Sequence, residues 1–275
     1  MLKLLFLLKG FFVFFIDLYK SKYIIYQLVK RDFQNRYLGS FVGFLWVLIQ
    51  PTVYIAIMWF VLAFGLKPGN VGSSAVPYHL WFISGLVPWL FLSELMSAGT
   101  NSIIEYSYLI KKVVFRSSII PMIKIFSSLI IHLFMVIILI FVFLLSGFKP
   151  NIYWFQIPYY LFSATFLLFG FSWLTSSLSV FIKDVPQIVA VLLQVFFWGT
   201  PIIWQYQMLP ERFAFIYKFN PIFFIIKGYR DSFLGQSWFW QNQQETFVFW
   251  GFSLLLFGVG AAVFKKLKPH FADVL

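Results

Sequence analysis

Apolar residues along this chain are gathered into long runs separated by short polar segments. The sharpest boundary lies in RDFQNRYLGSFVGFLWVLIQP at 31–51, where Arg31, Asp32 and Arg36 give way to a stretch, Phe41 to Leu66, without Asp, Glu, Lys or Arg. About 20 such residues cover a ~30 Å hydrocarbon core. Runs at 41–66, 78–98, 119–145, 157–182, 187–203 and 246–264 together predict an all-α integral membrane protein of six spans, one transmembrane domain over 1–275. The first run is longer than the core it crosses and must tilt, bend or protrude. Pro51 inside it predicts a kink near Gln50 unless neighbouring helices satisfy the freed carbonyl.

The segments between the spans have their own character. Residues 18–33 set Leu18, Ile25, Leu28, Val29 and Phe33 against Lys20, Lys22, Lys30 and Arg31, which predicts a helix lying in the headgroup plane. A solvated linker with chance periodicity is the alternative. Residues 101–117 are too polar to cross and too apolar for a plain loop, and read as a short helix against the membrane or another protein. Lys183 to Pro186 form a tight reversal, and Gly199 and Pro201 end or bend the fifth span. Residues 204–240 alternate charge with apolar clusters too short to span, and predict two short helices broken at Asn220 and Pro221 that dip partway into the bilayer. At the N-terminus, Lys9 interrupts the apolar run and no small-residue cleavage site follows, so no signal-peptide cleavage is expected.

Composition agrees with the pattern. Hydrophobic residues make up 61% and charged residues 11%, against roughly 25% charged in soluble domains. The net charge of +12 does not point to nucleic acid, because the basic residues sit in short loops rather than along one face. Most of them, including Lys20, Lys22, Lys30, Arg31, Lys111, Lys112, Lys183, Lys265 and Lys266, fall on the side that holds both termini, which orients those termini to the cytoplasm. The chain has no Cys, which excludes thiolate catalysis and cysteine-held metals. No repeat of fixed period divides the chain into two similar halves.

Ionisable residues inside the runs are few. Glu94 and Lys124 lie near span ends, where snorkelling to the interface is expected. His132 is deeper and is expected to stay neutral and bond a neighbouring helix rather than relay protons. No phosphate-binding loop, HExxH, GxSxG or DxD-type carboxylate pair is present, so uphill transport requires energy from a partner. Tyr37, Trp46, Tyr54, Trp59, Trp173 and Trp198 are candidates for a substrate channel, since sugar rings stack their C–H faces on aromatic faces and slide there. Lipid-facing packing is the alternative for any single ring.

Five separated motifs, RDFQNRYLGSFVGFLWVLIQP at 31–51, LIKKVVF at 109–115, KDVPQI at 183–188, LPERF at 209–213 and FNPIFFIIKGYRDSFL at 219–234, occur in one order. Together they resemble the membrane (permease) subunit of type-2 ABC exporters, and most of all the permeases of O-antigen, teichoic-acid and capsular polysaccharide export. The resemblance implies a homodimer in the cytoplasmic (inner) membrane, with a separate ABC ATPase subunit, two copies, that binds ATP and Mg. The permease chain itself carries no cofactor, metal or catalytic residue. It implies that an undecaprenyl-linked polysaccharide passes between the two copies. The basic lead-in becomes an interface helix, with Arg31 and Arg36 at the cytoplasmic mouth. Residues Ile104, Glu105, Tyr106, Leu109, Lys111 and Lys112 become the ATPase-coupling region. Pro210, Asn220, Pro221, Tyr229 and Arg230 become parts of an outer gate. Phe115 is followed by Arg116, where the family often has Phe-Pro. An exporter of a small hydrophobic drug or lipid and a membrane-embedded transferase acting on a lipid-linked sugar are the competing readings.

Overall fold

The computed structural model describes residues 21–36, 41–66, 76–112, 117–208, 210–213 and 215–275, and among these it is helical with no strand. Residues 1–20, which include the start of the expected interface helix, Tyr37, and residues 67–75 of the expected loop lie outside them. We number the helices α1 (Lys22–Arg36), α2 (Trp46–Phe60), α3 (Tyr78–Glu105), α4 (Ser107–Lys112), α5 (Ile120–Leu145), α6 (Ile157–Ser179), α7 (Val185–Gly199), α8 (Phe215–Lys218), α9 (Pro221–Leu234), α10 (Gln243–Leu267) and α11 (Phe271–Val274).

Four helical stretches among the described residues are long and apolar enough to cross a bilayer: Tyr78–Lys111, Ser117–Leu145, Ile152–Ser179 and Gln243–Val274. Helix α2 is shorter, entered by a 3-10 turn at Gly43–Leu45 and continued as a π-helix over Val61–Leu66. It runs through Pro51 without a break, where the Thr52 hydroxyl donates to the Leu48 carbonyl at 2.5 Å. Helix α7 stops at Gly199, four residues before the expected end of its span. At about 1.5 Å per residue its 15 residues reach only ~22 Å.

Helix α3 is the axis of the bundle. Every residue from Leu80 to Trp89 is buried, and α5, α6, α7 and α9 pack around it. The sequence boundary expected near 98 is absent, since α3 continues to Glu105 and turns only at Tyr106, where the short α4 begins. Polar residues do not interrupt it because Ser102 and Thr100 are themselves buried and bonded to carbonyls of their own helix, Gly99 and Met96.

A break between α8 and α9 falls at Asn220 and Pro221. Asn220 caps α9 by accepting the Ile222 N–H at 2.9 Å, and Pro221 occupies the first turn, where its missing donor costs nothing. Gly235 closes the helix in the left-handed conformation at φ 68°.

Helices α6 and α10 approach backbone to backbone. A methyl placed on Gly170 would lie 2.7 Å from both N and Cα of Phe257, and one on Gly260 would strike the Gly170 carbonyl. Backbone cannot step aside as a flexible side chain can. Gly170→Ala is therefore expected to destabilise the chain by about 1–3 kcal/mol, seen as a lower unfolding temperature in detergent. An unchanged temperature would mean the two helices are free to separate.

Candidate functional site

A cavity of about 610 Å³ opens between α2, α3, α5 and α7, lined by Trp46, Gln50, Pro51, Tyr54, Leu90, Ser93, Glu94, Ile131, Met135 and Leu193. Trp46, Gln50 and Tyr54 recur every four residues, so one face of α2 presents two aromatic rings and an amide to it. Opposite them α3 contributes Ser93 and Glu94, and the Ser128 hydroxyl of α5 donates to the Glu94 carboxylate at 3.2 Å. Glu94 thus faces the cavity wall rather than the interface expected from snorkelling. The chemistry is mixed: flat apolar faces, plus acceptors and donors suited to hydroxyl groups.

Of the other aromatic candidates, Trp59 packs edge-on against His79 and Phe64. Trp198 is exposed and is not among the residues that line the cavity. Trp173 is buried between α6 and α10 against Phe169, Phe257 and Phe264, its indole N–H donating to the Ser118 carbonyl at 3.3 Å. The structure brings Trp46 and Tyr54 together at the cavity and places these three elsewhere.

At one end of the bundle lies a buried ion cluster. Lys124 of α5 reaches Asp32 of α1 and Glu105 of α3, each at 2.6 Å. The Lys124 and Asp32 side chains are only 6% and 4% exposed, while that of Glu105 is 49% exposed. The Tyr106 hydroxyl donates to the same Asp32 oxygen at 2.9 Å. Lys124 therefore does not snorkel: a carboxylate is already within reach inside the protein, so its ammonium has no need of water. Arg31, assigned to the cytoplasmic mouth, lies over the Tyr108 ring at 5.5 Å and so joins α1 to α4. Of the residues expected to couple to an ATPase, Ile104, Glu105 and Lys111 are exposed, Leu109 packs on the core and Tyr106 is buried. Lys111 donates to the Leu275 carbonyl, tying α4 to the end of the chain. The side chains of Arg36 and Lys112 lie outside the described set.

At the opposite end, the unwound residues after α7 are held by side chains. Arg230 of α9 is buried and donates to the carbonyls of Pro201 at 2.5 Å, Ile202 at 2.7 Å and Trp81 at 3.2 Å. Its guanidinium lies 3.5 Å over the Trp81 ring. Tyr78 donates to the Ile203 carbonyl, and the Asn220 amide donates to the Thr200 hydroxyl at 2.8 Å. Irregular backbone at membrane depth is stable only where protein groups satisfy it in this way. Gly85 makes room, since a methyl there would lie 2.8 Å from Nε and Cζ of Arg230. Beside Arg230, the Tyr229 hydroxyl meets His132 Nε2 at 2.7 Å, the interhelical bond expected of that histidine. Pro210 is exposed in the segment that leads to α8.

The described residues thus form an all-helical bundle with four stretches able to cross a membrane and a cavity of mixed aromatic and polar lining, the build of an integral membrane protein. The family pattern described as ABC-2 type transporter matches residues 23–234, and the chain belongs to that family. It is 29% identical over 258 residues to an O-antigen export system permease protein RfbA of Klebsiella pneumoniae, covering 92% of this chain and 95% of that protein. It is 23% identical over 261 residues to the protein of the same name from Myxococcus xanthus, covering 94% and 97% respectively.

Proposed function

We propose that this chain is the permease subunit of an ATP-driven exporter that moves a lipid-linked, O-antigen-like polysaccharide across the cytoplasmic membrane. The observation that carries this reading is the near end-to-end similarity to proteins named as O-antigen export permeases. The cavity supports it, because its paired rings and hydroxyl-bonding groups suit a sugar chain better than a wholly apolar cargo.

In this reading α2 and α7 join the four longer helices to make six crossings, with both termini cytoplasmic, and two copies of the chain assemble with two copies of an ABC ATPase. Helix α1 lies along the inner interface and α4 receives the ATPase. The segment 210–234 gates the outer exit. The chain's own contribution is positioning and passage, with ATP hydrolysis on the partner.

The test is purification with an ABC ATPase subunit, followed by reconstitution with undecaprenyl diphosphate-linked glycan. The glycan is expected to raise ATP hydrolysis. Stimulation by a small hydrophobic compound instead, or sugar transfer without any ATPase, would replace the proposal with one of its competitors. Trp46→Ala and Tyr54→Ala are each expected to lower export by about threefold to tenfold with unchanged expression. Full export in the double variant would remove these rings from the path.

A further inference from the structure

We infer that Lys124, with Asp32 and Tyr106, is the joint through which movement of α4 reaches the cavity wall. The inference rests on the transport reading above and deepens it. Lys124 on α5, Asp32 on α1 and Tyr106 at the turn after α3 meet within hydrogen-bond distance: Lys124 to Asp32 at 2.6 Å, Tyr106 to the same Asp32 oxygen at 2.9 Å. Tyr106 stands at the turn that separates α3 from α4, so a displacement of α4 displaces the hydroxyl bound to Asp32. Arg31, one residue before Asp32, carries a second link from α1 to α4 through the Tyr108 ring.

The far side of the joint leads to the cavity. Lys124, Ser128, Ile131 and Met135 are spaced four, three and four residues apart and share one face of α5. Ser128 bonds Glu94, and Ile131 and Met135 line the cavity directly. From Lys124 to Ile131 is about 10 Å along the helix axis, two turns of a continuous α-helix. A shift of the ammonium with its partners therefore moves the wall as a rigid face.

Burying the pair argues for a role beyond support. Apolar side chains of similar volume hold helices together at least as firmly as an ion pair removed from water. What the ion pair adds is a discrete, directional set of partners, with Glu105 as the water-facing arm of the same ammonium. Elements with two distinct arrangements, rather than mere adjacency, transmit movement between sites.

The experiment replaces the buried pair on both sides, leaving only the half-exposed Glu105 without its ammonium. The variant Asp32→Asn with Lys124→Met is assembled with the ATPase, and export is read as surface glycan on intact cells by periodate oxidation and hydrazide labelling. ATP hydrolysis is read on the same complex in proteoliposomes. The ratio of export to ATP hydrolysis, each normalised to the unaltered complex, is expected to fall about tenfold. Tyr106→Phe, which removes only one hydroxyl, covers the case in which the double variant fails to assemble, and is expected to lower the same ratio several-fold. A ratio within about twofold of the unaltered complex, in the double variant if it assembles or in Tyr106→Phe if it does not, overturns the joint. Absence of glycan export by the unaltered complex would instead overturn the transport reading, so the two failures are distinguishable.

Discussion

Replacing Arg230 with methionine is expected to unfasten the end of the bundle that holds the residues after α7. Three backbone carbonyls, on Trp81, Pro201 and Ile202, accept from this one guanidinium in a buried setting. Each buried acceptor left without a partner costs about 1–3 kcal/mol, and methionine restores none of them. Lysine keeps the charge but not the planar fork that reaches carbonyls on two separate segments. Arg230→Lys should therefore fall between the original and Arg230→Met in unfolding temperature. Gly85→Ala should resemble a mild form of the same lesion, because its methyl displaces the guanidinium from the other side. The measurement is thermal unfolding of the purified chain in detergent, with limited proteolysis reporting whether cleavage appears first between 200 and 208. If Arg230→Met unfolds with the original, the carbonyls are satisfied by other means and the latch is redundant.

Lys124→Met alone should be as damaging, for a different reason. It takes away the ammonium that lies 2.6 Å from the Asp32 carboxylate, whose side chain is 4% exposed. Breaking one side of a buried pair typically costs about 3–5 kcal/mol. Glu105→Gln removes the other arm of the same ammonium, yet that carboxylate is 49% exposed, and a water-screened pair of this kind contributes about 0–1 kcal/mol. The two variants, measured side by side, should differ widely in stability although they delete ion pairs of equal length. Equal losses would mean that burial does not set the strength of this cluster.

Much of the helical layout is written in the length of the apolar runs, and the break at Asn220 and Pro221 is written in capping chemistry. The cavity was partly visible: Trp46, Gln50 and Tyr54 have helical spacing and share a face. Nothing in a single ring distinguishes a wall from a core, which is why Trp173, equally aromatic and equally apolar in its surroundings, packs between two helices. Asp32 carried a usable signal. It follows Ile25, Leu28 and Val29 at the spacing of one helical stripe, all of them buried, and an acid on an apolar stripe calls for a buried partner. That partner, Lys124, lies 92 residues away, and only folding brings it near. The same holds for Arg230, whose acceptors are backbone atoms and leave no trace in residue identity. The end of α3 was misplaced because serine and threonine read as loop residues in sequence, while in a buried helix their hydroxyls turn back onto carbonyls of the preceding turn.

The close approach of Gly170 and Gly260 gives the bundle an uneven grain. Where two backbones touch, neither helix can rotate or glide without first opening a gap, so α6 and α10 travel as one stave. The cavity lies elsewhere, among α2, α3, α5 and α7. Widening for a bulky cargo thus falls to that side, with the glycine seam as the fixed edge against which it is measured.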